Sequence, residues 1–170
     1  MSTVVNRQTL EVRESVNEPD YDTSVWLINA EIPEWPKRHW VRPITGSTIE
    51  LRSQEDRNAA DAEYLESHKQ SRITQIREQY NDALESRYTT RTLLYALLLL
   101  VKAMGSMNDE VIEYINELAV WVEDGDMLVE TAEGLVEASE TIDDVNAVSL
   151  TLTSWLAADP KVSTRAARKL

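Results

Sequence analysis

The 170-residue chain contains no cysteine, no phenylalanine, four glycines and two histidines. Without cysteine there can be no disulfide, thiolate metal site or cysteine nucleophile. His39 and His68 have no partner at metal-ligand spacing. The sequence has no Gly-rich phosphate loop, nucleophile elbow or zinc-protease motif, and no Asp-x-Asp-x-Asp-Gly calcium loop. Acid pairs such as Glu113 with Glu117 and Glu133 with Glu137 lie four apart, but no histidine completes a di-metal set, so they read as solvated surface. The expectation is a protein that is not an enzyme and carries no cofactor or metal.

Positive charge is missing from a long stretch. Between Ala103 and Pro160 there is no Lys or Arg, while acids from Asp109 and Glu110 to Asp159 contribute most of the net charge of -13. Such a surface repels phosphate, which argues against direct nucleic-acid binding. It reads as a solubilising face, a dock for a basic partner or a DNA mimic. Long apolar runs are also absent. The longest, Leu93 to Val101, falls short of the ~20 residues that span a bilayer. Arg91 and Lys102 bracket it, so it reads as a buried hub helix and no membrane association is expected. The N-terminus has no basic start followed by an apolar core, so no signal peptide is expected.

Scarce glycine, with Leu, Ala, Glu and Val dominating the second half, predicts a mainly α fold. Residues 1–52 differ from the rest. Pro19, Pro33, Pro36 and Pro43 forbid a long helix and favour an extended arm. Short β-prone pieces lie at Thr9–Val12, Val25–Ile28, Trp40–Ile44 and Thr48–Leu51, with Thr45-Gly46-Ser47 as a hairpin turn between the last two. Trp26, Trp35 and Trp40 fall in this segment, which reads as too proline-broken to build a large core of its own. Their rings either pack onto the chain's own helices or anchor the arm to a partner, with Ile28 beside Trp26.

The stretches Asp22-Thr23-Ser24-Val25-Trp26-Leu27-Ile28-Asn29, Ile32-Pro33-Glu34-Trp35-Pro36-Lys37-Arg38-His39-Trp40-Val41 and Ile44-Thr45-Gly46-Ser47-Thr48-Ile49-Glu50-Leu51 are followed by a helix opener, Ser53-Gln54-Glu55-Asp56. This order resembles an N-terminal module of small virion-associated structural proteins of tailed bacteriophages. The resemblance runs from about Thr9 to Glu63 and brings no catalytic residues. It implies a virion location, synthesis in the bacterial host cytoplasm, and other virion proteins as partners. Head decoration, collar or neck, and tail attachment all remain open.

Residues 53–90 predict one long charged helix, opened by Ser53 as N-cap with Asp56 in the capping-box position. Ile73, Ile76, Tyr80 and Ala83 repeat at 3-4-3 spacing. A stripe that narrow suits a coiled-coil seam and homo-oligomerisation, or packing of one long helix against its own chain. Thr89-Thr90 loosen or break the helix. Residues 91–158 predict an acidic bundle of four short helices around the hub helix. Gly105 would end the hub. Asn108 would open the next helix, with Val111, Ile112, Ile115, Leu118, Ala119 and Val122 inward, and Gly125 would close it. A third helix starts at Asp126, with Met127, Leu128, Thr131, Leu135 and Val136 on its apolar side. Thr141 with Asp144 caps a fourth, which turns Ile142, Val145, Val148, Leu152, Trp155 and Leu156 inward. Residues 159–170 form a basic tail that is either loose or an electrostatic latch between subunits.

The functional expectation is a structural phage component that anchors through its N-terminal arm and self-associates through helices. The alternative is a soluble acidic binding protein, either an assembly chaperone or a DNA-mimic inhibitor.

Overall fold

The computed structural model describes residues 2–89, 97–98, 101–105 and 109–160. Expectations attached to Arg91, Asn108 and the basic tail from Lys161, the subunit latch included, lie outside them. The fold is mainly α with one small antiparallel sheet at the N-terminus. The chain divides into two compact units, residues 1–66 and 67–170, and the division falls inside a long helix.

In the first unit β1 (Ser2–Asn6) is the middle strand. β2 (Val12–Val16) and β3 (Trp26–Ile28) pair antiparallel on its two sides. The Asn6 side-chain oxygen accepts the backbone N–H of Gln8 and of Thr9, both at 2.9 Å. That Asx turn reverses the chain into β2. Val5, Leu10, Leu27, Ala30, Trp40 and Ile44 form a buried cluster, with Val12 and Ile49 against it. Residues 1–52 are therefore not simply extended: they close on a small core of their own. Sequence pattern missed β1 because Ser2–Asn6 is only five residues long and shows no alternation. The prolines fall outside the three strands; Pro19 lies in a 3-10 turn, Glu18–Asp20, and Pro36 is the N-cap of another, Lys37–His39. The hairpin expected between Trp40 and Leu51 reduces to a single bridge joining those two residues. It is flanked by Val41 N–H to the Glu50 carbonyl and Arg52 N–H to the His39 carbonyl, both 2.8 Å. Arg7 fastens the loops, donating to the carbonyls of Thr23 (3.2 Å), Ile44 (3.0 Å) and Gly46 (2.8 Å).

α1 (Gln54–Arg87) starts as the sequence predicts. Ser53 Oγ accepts the Asp56 N–H at 3.1 Å and donates to its carboxylate at 2.7 Å. α1 ends at Arg87, just before Thr89.

In the second unit the expected helix break at Gly125 does not occur. α2 (Asp109–Ala138) runs for 30 residues through it. Gly125 is buried there because the chain needs a missing side chain: a Cβ would lie 2.7 Å from ring carbons of Trp155 and of Tyr80. Trp155 lies on α4 (Thr153–Ala157), which follows α3 (Ile142–Ala147). Thr141 and Asp144 form the predicted capping box at the start of α3. The single fourth helix expected here is split in two. Among the described residues, the bundle of four short helices is thus corrected to one long helix, two short ones and the helical residues 97–98 and 101–105.

The indoles of Trp121 and Trp155 stack at 4.2 Å with 7° between their planes. Each donates its Nε1–H to the other's backbone carbonyl, at 2.8 and 2.6 Å. Tyr80 lies 5.3 Å from Trp155, and Tyr88 lies 5.5 Å from Trp121. The expected Leu93–Val101 hub lies largely outside the described residues. The described residues of that run are bare: Leu97, Leu98 and Val101 are 56%, 67% and 65% exposed.

Burial raises the phenol pKa of both Tyr80 and Tyr88, helped by Asp126 and Asp159 respectively. Tyr88 donates to the Asp159 carboxylate at 2.7 Å. A pKa raised on folding stabilises the protein below the unfolded value, near 10 for tyrosine, and that stabilisation is lost as pH rises above it. Denaturant midpoints should therefore hold steady up to about pH 10 and fall beyond it. The fall should be shallower in a Tyr80→Phe, Tyr88→Phe variant; an equally steep fall would mean other groups drive alkaline unfolding.

Candidate interaction surfaces

The four residues expected to meet a partner are separated by the fold. Trp40 is 2% exposed and donates its Nε1–H to the Trp35 carbonyl at 2.9 Å. It is core and not partner surface, because the unit's own sheet and loops enclose it. Trp26 and Ile28 are half-buried on β3. Tyr21 meets Trp26 edge-on at 5.1 Å, and the Arg13 guanidinium lies 5.0 Å from its ring centre. Trp35 stays open, at 50% exposure, with the Arg57 guanidinium 4.9 Å over its ring and the His39 ring 5.6 Å away. Val25 and Ile32 are also exposed in this unit.

Beneath Trp35 sits a polar clasp to α1. Asp61 accepts from Arg38 Nε at 2.5 Å and faces His39 Nε2 at 2.8 Å. His39 Nε2 faces a carboxylate and so acts as a donor, and the buried Nδ1 has no hydrogen-bond partner. Arg38, then His39, hold the Asp61 carboxyl below the usual carboxylate range. The clasp orients a loop on a helix. It has the geometry of a structural tie: an exposed carboxylate (45%) shared by two donors.

The expected self-association seam is overturned. Ile73, Ile76 and Tyr80 are buried within the chain and Ala83 is half-buried. Tyr80 packs on Trp155 and donates to the Val122 carbonyl at 3.2 Å. Alongside, Arg77 grips the Glu133 carboxylate at 2.5 and 2.8 Å. A narrow stripe is filled by one neighbour, and here that neighbour is α2 with α4 of the same chain.

Apolar surface remains elsewhere in the second unit. Leu97, Val101 and Met104 repeat at helical spacing and are exposed, whereas Ala103 is buried. On α2 the expected inward set is wrong for Met127, Leu128, Thr131 and Leu135, which are exposed, as is Ala119. The inward face is Ile115, Leu118, Trp121, Gly125, Ala132 and Val136. Reading α2 as two helices reset the phase at Asp126; counting on from Trp121 without a break gives the observed face. Val120, omitted from the sequence reading, is exposed as well.

Among the described residues no group of three His, Asp or Glu is placed to hold a metal, and no helix is long and apolar enough to cross a membrane. No protein-family model, curated protein or solved structure matches this chain.

Proposed function

We propose that the protein is a non-enzymatic structural component of a tailed-phage virion. Its N-terminal unit anchors to a neighbouring virion protein, and its helical unit self-associates. The observation that carries this reading is the bare apolar face at Leu97, Leu98, Val101 and Met104, each more than half exposed in the isolated chain. Apolar patches of this kind mark sites of protein association. The open Trp35, with Val25 and Ile32 also exposed in its unit, supports the anchoring role, and the motif order from Asp22 to Asp56 supplies the phage assignment. The acidic α2 favours the second reading, a soluble acidic binding protein that leaves before assembly is complete.

Light scattering should give an oligomer for the full chain and a monomer for a Leu98→Lys, Val101→Lys variant. A strictly monomeric wild type at high concentration removes self-association from the proposal. Mass spectrometry of gradient-purified particles from producing cells should find the protein at a fixed ratio to the other virion proteins. Finding it only in the soluble fraction selects the second reading.

A further inference from the structure

We propose that the outer face of α2 is a docking strip for a basic amphipathic helix of another protein. α2 has two apolar faces, and the first is used in the core. The second carries Val120, Met127 and Leu135, at 56%, 60% and 57% exposure. Steps of seven and eight residues keep these three on one side of a helix. At ~1.5 Å rise per residue they mark out a strip roughly 22 Å long. The outer face of an ordinary surface helix is charged or polar along its length. Here the strip runs into an open groove of about 620 Å³, where Leu135 and Ala138 face Ala147 and Val148. An apolar track ending in a recess is the surface that receives the i, i+3/i+4, i+7 anchors of a bound helix.

Charge selects the occupant. By helical phase Glu123 and Glu130 flank the strip on one side and Glu117 on the other, while Asp124 sits within it between Val120 and Met127, and all four are exposed. Glu140 and Asp144 line the groove. No Lys or Arg lies between Ala103 and Pro160, and the α1 cations that reach this end, Lys69 and Arg72, donate to the carbonyl oxygens of Glu137 and Val148. A second copy laid on the strip through its own α2 would set acid against acid, which is costly at an interface. A helix with Leu-type anchors and flanking Lys or Arg pairs with both borders and fills the track. This inference concerns α2 and the groove it shares with α3, and holds whichever particle or complex the protein serves.

The test uses the full chain and a synthetic peptide of about four helical turns, with Leu at helical spacing and Lys elsewhere. Binding is read by fluorescence anisotropy of the labelled peptide. Affinity should drop roughly 10-fold in a Val120→Ser, Met127→Ser, Leu135→Ser variant, whose exposed positions leave the fold intact by circular dichroism. It should drop about as much in Asp124→Lys, Glu130→Lys and when salt is raised to near molar. Equal binding of a peptide with Ser in place of Leu, or with Glu in place of Lys, overturns the proposal. A wild-type dimer that the triple Ser variant dissolves overturns it in favour of a second copy. A gain in peptide affinity of about 10-fold on deleting residues 161–170 overturns it in favour of the chain's own basic tail.

Discussion

Gly125→Ala is expected to destabilise the second unit by about 2 kcal/mol, and Gly125→Val by more. Helix propensity alone predicts the opposite sign, since Ala is favoured over Gly in a helix interior by about 1 kcal/mol. The steric term wins because the new Cβ lies 2.7 to 2.8 Å from Trp155 Cε2, Tyr80 Cε2 and Trp155 Cζ2. None of these is the flexible end of a side chain. Trp155 is held by its stack and by two hydrogen bonds, and Tyr80 by α1. Gly134 supplies the control on the same helix, because a Cβ there meets nothing within 4 Å. Gly134→Ala should therefore stabilise by ~0.5–1 kcal/mol. Chemical denaturation of the two variants settles the matter: shifts of the same sign would mean that the rings yield easily.

Trp155→Ala should cost about 4 kcal/mol, a large share of the stability of an ordinary domain. The side chain is 5% exposed and lies between Trp121 and Tyr80, so its removal leaves a cavity bounded by rigid rings. It also removes the Nε1–H donor to the Trp121 carbonyl. Trp155→Phe separates the two effects. It keeps most of the volume and loses the hydrogen bond and the stack, so its cost should fall to roughly half. Near-ultraviolet circular dichroism should lose the signal of two coupled indoles in both variants. A retained signal would mean that the stack does not exist in solution.

The parts of the fold that were legible in the sequence are those set by local rules. Ser53 and Asp56, and Thr141 and Asp144, announce helix starts because capping is decided within four residues. The length of α1 follows from the lack of Gly and Pro between Gln54 and Arg87. The unreadable parts depend on distant residues. Gly125 looks like a helix stop, and only Trp155, 30 residues downstream, makes it a packing site. Trp121 and Trp155 give no sign in the sequence that they will bond to each other's backbones. The stripe at Ile73, Ile76 and Tyr80 was visible, but spacing cannot say whether its cover is the same chain or another. Of the residues expected to meet a partner, Trp35 is exposed, whereas Trp40 is enclosed in the cluster that includes Val5 of β1, a strand with no alternating pattern. The outer strip of α2 was hidden by the false break at Gly125.

Besides the Tyr80 bond to the Val122 carbonyl, α1 donates to carbonyl oxygens at two helix ends, and this carries a further consequence. α2 and α3 have no basic residue in their last turns, so neither can offset the negative end of its own macrodipole. α1 does it for them. Lys69 Nζ donates to the Glu137 carbonyl in the last turn of α2 at 2.8 Å, and Arg72 Nε donates at 3.1 Å to the carbonyl of Val148, the C-cap of α3. The positive charge that helices usually carry in their own final turn has been moved onto a neighbour. A peptide of α2 alone would therefore fray from its C-terminus, and the three helices should melt in a single transition.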